Sequence, residues 1–179
     1  IRIDNIGNIF ARREGCDPNA KTVMAGSHLD SQPTGGKYDG CFGVLSGLEV
    51  IRTLNEHKIT TQAPIEVVAW TNEEGCRFAP CMMGSGVFTG VLEFDAMMAR
   101  TDADGVTVSD ALDAIHYRGS DEVSPREIKA YFEPHIEQGP ILEDTDTTIG
   151  VVIGGLGQKW FDLTLTGLEA HAGPTPMKI

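Results

Sequence analysis

Two short apolar runs in this chain each empty into ionisable residues. Residues 22–26 (TVMAG) lead into Ser27, His28, Leu29 and Asp30, and residues 65–70 (IEVVAW) lead into Thr71, Asn72, Glu73, Glu74 and Gly75. Asp39 closes a glycine-rich segment, PTGGKYDG (33–40), and His135 stands between Pro134 and Ile136. Imidazole and carboxylate together suit a borderline divalent cation. Zinc is the default, and manganese, cobalt or nickel fit the same donors. The Asp39–Gly40 pair lies where backbone can turn sharply and aim a carboxylate. Glu73 and Glu74 are adjacent, so on extended backbone they point in opposite directions. One can bind metal while the other faces a water. Two carboxylates that close resist ionising together unless a cation is near. Asp30 and Glu137 can serve as acceptors that orient ligating imidazoles.

Blander readings compete with this one. A histidine at a strand end is often a packing residue, and a Glu pair often marks a solvated loop. The apolar IEVVAW run before the pair and the glycine after it weigh against the loop. His57, in the polar stretch NEHK, reads as a surface residue, and nothing marks out His116. Neither HExxH, GxSxG, GxxxxGK[ST] nor a GxGxxG following a strand occurs, which removes the commonest metalloprotease, serine hydrolase and nucleotide-binding signatures.

The elements that must position these residues follow from periodicity. Alternation over residues 3–10 predicts a strand, the polar stretch 12–19 a turn, and residues 22–26 and 65–70 two buried strands. Between them, Phe42, Leu45, Leu48, Ile51 and Leu54 recur at helical spacing. Strand, loop, helix, strand is a βαβ unit of a parallel sheet, and such sheets bind ligands beyond the carboxyl ends of their strands. Further along, residues 84–90 read as a glycine-punctuated link, 94–100 and 109–115 as short helices, and 124–127 (SPRE) as a helix start. Residues 130–136 and 160–166 read as strands, with a hinge over 149–157.

The fold class expected is α/β: a mixed, mostly parallel sheet flanked by helices. The chain has 179 residues, with 14 basic and 26 acidic side chains and a net charge of −12. A field of that sign repels nucleic acid and anionic membrane, so neither is an expected partner. The acidity concentrates in residues 93–146, where 14 acids face 4 bases. That pattern fits a solvated, helix-rich outer segment. No apolar run approaches the roughly 18 residues of a spanning helix, and no signal peptide opens the chain. Cys16, Cys41, Cys76 and Cys81 include no CxxC pair and read as free thiols, which points to a reducing, cytoplasmic setting.

Four segments carry a family resemblance: GSHLDSQPTGGKYDG (26–40), TNEEGCRFAPCMMGSGVFTG (71–90), HIEQGP (135–140) and EAHAGPTPM (169–177). In order and content they resemble the M20-type metallo-amidohydrolases. The match is narrower with the branch of N-carbamoyl-L-amino acid hydrolases, β-ureidopropionases and allantoate amidohydrolases. The resemblance implies a catalytic domain of the zinc-exopeptidase type over residues 1–153, and the beginning of a smaller α+β lid and dimerisation domain over 154–179. It implies two divalent metal ions. His28 and His135 would be ligands of one, Glu74 of the other, and Asp39 the bridge. Glu73 would be the general base, and Gln158 and His171 lid-side groups that hold the substrate, the histidine acting across a homodimer. It also implies a further histidine ligand beyond Ile179 and a helical region before Ile1. The implied reaction is hydrolysis of the carbamoyl C–N bond of an N-carbamoyl-L-amino acid, a small ureido substrate. Allantoate and β-ureidopropionate are the alternatives within the branch. An inactive metal-binding homologue and an isolated interaction module are the readings outside it.

Overall fold

The computed structural model describes residues 1–159, 161 and 163–178. The described chain forms two compact units, Ile1–Gly139 and Pro140–Ile179.

The first unit is built on one five-stranded sheet. Its strands are β1 (Arg2–Ile3), β2 (Ile9–Arg13), β3 (Thr22–His28), β4 (Ile65–Trp70) and β5 (Ile128–Phe132), in the spatial order β1-β2-β4-β3-β5. The sheet is mixed. β3 runs parallel to both β4 and β5, whereas β2 is antiparallel to β1 and β4. Helix α1 (Cys41–Glu56) connects β3 to β4 and completes the expected βαβ unit. Val67 and Ala69 of β4 pack with Val44 of α1 on one face. Phe10, Met24, Val68, Trp70 and Phe88 fill the other face. A third cluster gathers Ile6, Met83, Val87, Met97, Met98, Val108 and Leu112 from the short helices α2 (Met83–Phe88), α3 (Phe94–Met98) and α4 (Val108–Ala114) and their flanks.

Several elements differ from the sequence expectation. The strand expected over 3–10 is broken into β1 and β2. Asp4 Oδ1 accepts hydrogen bonds from the Ile6 N–H (3.2 Å) and the Asn8 N–H (2.8 Å), and Gly7 takes a φ of 88°. That side-chain-held turn reverses the chain, and β2 runs on into the stretch expected to turn. The link expected at 84–90 is largely α2. Its glycines serve packing: a Cβ on Gly84 would lie 2.1 Å from Asn8 Oδ1. No helix starts at 124. Residues 122–127 carry no regular structure before β5, and Arg126 pairs with the buried Glu66. β5 itself ends at Phe132, short of the expected strand end at 136.

Helix α1 also presents an unexpected face. Its buried residues are Gly43, Val44 and Gly47, while Phe42, Leu45 and Leu48 are exposed. A Cβ on Gly47 would already touch Val67 at 3.0 Å, so the helix lies on the sheet through its small residues.

In the second unit, α5 (Ile141–Asp144) is the one helix among the described residues, which form no strand. The strand expected over 160–166 falls partly on Trp160 and Asp162, outside the described residues. Phe161 and residues 163–166 belong to no strand among the described residues. All four cysteines are free thiols. Among the described residues no helix is long and apolar enough to cross a membrane.

Candidate metal centre

The parallel register brings the candidate residues to one edge. His28, the last residue of β3, pairs with Trp70, the last of β4, so both strands discharge their polar residues side by side. β5 is parallel to β3 on its other side, and the chain continues from Phe132 to His135. Asp39 arrives from the loop before α1, across Gly40 with φ 65°. A Cβ at Gly40 would lie 2.5 Å from the His28 ring, so only glycine lets this loop close over the imidazole.

Two groups of donor atoms form there. Ligand atoms of His28, Asp39 and His135 all lie within 4.8 Å of one another, as do those of His28, Glu73 and Glu74. His135 Nε2 is 3.2 Å and His28 Nε2 3.8 Å from Asp39 Oδ1, and His28 Nε2 is 3.5 Å from Glu73 Oε2. The two rings stand 5.9 Å apart, centre to centre. Each imidazole is anchored through Nδ1: His28 to the Asp30 carbonyl (2.8 Å), His135 to the Ile136 carbonyl (2.9 Å). A carbonyl only accepts, so these bonds place a proton on Nδ1 and turn Nε2 toward the carboxylates. His28 and Asp39 are almost wholly buried.

The carboxylates are held from behind. Asp30 accepts from the backbone N–H of Glu73 (3.2 Å) and of Glu74 (3.0 Å). Gln138 donates to Asp39 Oδ2 at 2.7 Å, and Gln32 to Glu74 Oε2 at 2.9 Å. Burial pushes the Glu73 carboxyl above the ordinary range, and the negative charges of Glu74, Asp30 and Glu133 push the same way against the pull of His28. Glu74 Oε1 is buried without a hydrogen-bond partner. Buried acceptors normally find a donor. A carboxylate with one orphaned oxygen, close to a second acid and an imidazole, fits a divalent cation, and the donor set suits zinc, manganese, cobalt or nickel.

Five sequence candidates therefore converge: His28, Asp39, Glu73, Glu74 and His135. Asp30, expected to orient an imidazole, uses its carbonyl for that and its carboxylate for the glutamate backbone. Gln158 and His171 belong to the second unit, where His171 Nδ1 accepts from the Gly173 N–H at 3.0 Å. Gln32 and Gln138 are not among the residues that the sequence marks out. Their place inside the segments 26–40 (GSHLDSQPTGGKYDG) and 135–140 (HIEQGP) is the one signal that points to them.

Comparison with known proteins shows which family the chain resembles. The model of peptidase family M20/M25/M40 matches residues 24–177. An N-carbamoyl-L-amino-acid amidohydrolase of Rhizobium meliloti is 54% identical over 175 residues, 98% of this chain and 42% of that protein. An allantoate deiminase of Arabidopsis thaliana is 34% identical over 185 residues, 99% of this chain and 35% of that protein. The crystal structure of a hydantoinase/carbamoylase family amidase from Burkholderia ambifaria superposes with a TM-score of 0.83 at 57% identity, over 86% of this chain and 38% of that one. The chain thus spans about two-fifths of the length of such relatives. With the match running from inside β3 through the residues after His171, the chain belongs to peptidase family M20/M25/M40.

Proposed function

We propose that this chain supplies the metal-holding half of an amidohydrolase that cleaves the carbamoyl C–N bond of an N-carbamoyl-L-amino acid. The observation that carries the reading is the pair of donor groups that share His28, one with Asp39 and His135 and the other with Glu73 and Glu74, whose Oε1 is buried without a hydrogen-bond partner. In this reading His28, Asp39 and His135 hold one divalent ion, and Asp39 and Glu74 contribute to a second. Bound ions supply Lewis-acid polarisation of the carbonyl and a water that ionises near neutral pH. Glu73, pushed upward in proton affinity, takes the proton of the attacking water and delivers it to the leaving nitrogen. The products are the free amino acid, ammonia and CO₂. Gln158 and His171 hold the substrate, and His171 stabilises the oxyanion as charge develops. Residues 1–153 form the catalytic domain and 154–179 begin the lid and dimerisation domain of a homodimer. Four free thiols support a cytoplasmic setting.

The 54% identical relative named for N-carbamoyl amino acids favours that substrate, and the 34% identical allantoate deiminase supports allantoate as the second reading. Side-by-side assay of ammonia release from N-carbamoyl amino acids, β-ureidopropionate and allantoate separates them. Glu73→Gln tests the mechanism. Metal content should stay at the wild-type level while turnover falls about 10²- to 10⁴-fold, the range of a lost general base. Turnover near wild type removes Glu73 from the role.

A further inference from the structure

Beyond the donor atoms, the three strand ends are joined by a chain of hydrogen bonds that centres on Glu133. Trp70 Nε1 donates to Tyr131 Oη at 2.9 Å, Tyr131 Oη donates to Glu133 Oε2 at 2.8 Å, and Ser27 Oγ donates to Glu133 Oε1 at 2.5 Å. The directions are fixed by chemistry. Indole N–H can only donate, so the phenol oxygen accepts there and spends its one proton on the carboxylate. Each Glu133 oxygen thereby receives a hydroxyl. The phenol stays a donor because burial and the Glu133 charge both push its ionisation above the ordinary range.

The three partners are placed tellingly. Ser27 precedes His28, Trp70 ends the strand that leads to Glu73, and Glu133 is separated from His135 by one residue. That residue is Pro134, whose ring fixes its own φ. Ladder pairing of β5 with β3 ends at Phe132 opposite Ala25, so the sheet itself does not set the position of His135. The chain beyond it is gripped twice: by the Glu133 carboxylate, and by contact with the start of α1, where a Cβ on Gly43 would lie 2.7 Å from the Pro134 carbonyl. Glu133 belongs to neither group of mutually close donor atoms.

We infer that Glu133 is a positioning residue: its carboxylate ties β3, β4 and β5 together and sets the spacing of His135 from His28 and Asp39, and so the geometry of the first metal site. This rests on the metal-centre reading above. Partners that orient ligands in this way typically contribute 10- to 100-fold to metal affinity.

The test is titration of the metal-free protein with Co²⁺, followed by its visible absorption, alongside thermal unfolding of each metal-free protein. Glu133→Ala should raise the apparent Kd for Co²⁺ about 10- to 100-fold and change the shape of the absorption bands. Glu133→Gln, which keeps one carbonyl acceptor, should recover part of both. A lost packing contact alone would lower the melting temperature and leave the band shape of the loaded site alone. Wild-type affinity and band shape in folded Glu133→Ala overturns the inference. Where Glu133→Ala does not fold, Ser27→Ala and Tyr131→Phe each remove one donor. Wild-type behaviour in both overturns it, and weakened binding with altered bands in either supports it. A wild-type protein that takes up no Co²⁺ overturns the metal-centre reading and this inference with it.

Discussion

The Glu74 backbone N–H donates to the Asp30 carboxylate at 3.0 Å, which fastens the end of β4 to the end of β3 where the acidic cluster begins. The same carboxylate takes the Glu73 N–H at 3.2 Å, and the Asp30 carbonyl takes His28 Nδ1. One residue thus fixes three of the converging groups through their backbone or ring. Asp30→Ala should weaken Zn²⁺ binding about 10- to 100-fold by calorimetric titration, and Asp30→Asn, which keeps one acceptor oxygen, should lose less. Equal, wild-type affinity in both variants would contradict the fastening role.

Gly40 offers a steric test of the same centre. Its φ of 65° and the 2.5 Å that would separate an added Cβ from His28 predict two costs for Gly40→Ala, backbone strain and a displaced imidazole. Gly105 has φ 81° and open space around it, so Gly105→Ala carries only the strain, about 1–2 kcal/mol. Denaturant unfolding should show comparable strain in both variants and a larger total loss in Gly40→Ala. Zn²⁺ affinity should fall in Gly40→Ala alone.

Stability at the other end of β4 depends on an ion cluster. Glu66 is fully buried and pairs with Arg2 at 3.1 Å and with Arg126, and both guanidinium groups lie over the Phe10 ring, at 4.3 and 5.0 Å. Glu66→Ala leaves two cations facing a buried apolar face. The expected loss in urea unfolding is about 3 kcal/mol, the lower end for a broken buried pair, because both arginines keep some contact with water. A loss within about 0.5 kcal/mol, as for an ordinary surface change, would contradict this.

The site is more legible in the sequence than the fold around it. His28, Glu73 and Glu74 stand out because an apolar strand that ends in ionisable residues has few reasons to do so, and parallel register then places such ends together. Asp39 is marked by the glycine that aims it. The face of α1 is not legible. Its large apolar residues repeat at helical spacing, yet close approach to the sheet selects Gly43 and Gly47 for the buried side. The break between β1 and β2 is hidden because it depends on the Asp4 side chain capturing backbone N–H groups of Ile6 and Asn8, a local bond that overrides alternation. Glu133 carries no signal in the sequence because its partners, Ser27 and Tyr131, meet it only once three strands are assembled.

Zinc-edge X-ray absorption of the Zn²⁺-loaded protein addresses the convergence itself. The loaded site should show nitrogen and oxygen donors at about 2.0–2.2 Å with outer-shell imidazole scattering, reduced in His28→Ala and in His135→Ala. Imidazole scattering that survives unchanged in both variants, or a wild-type protein that retains no zinc, would contradict it.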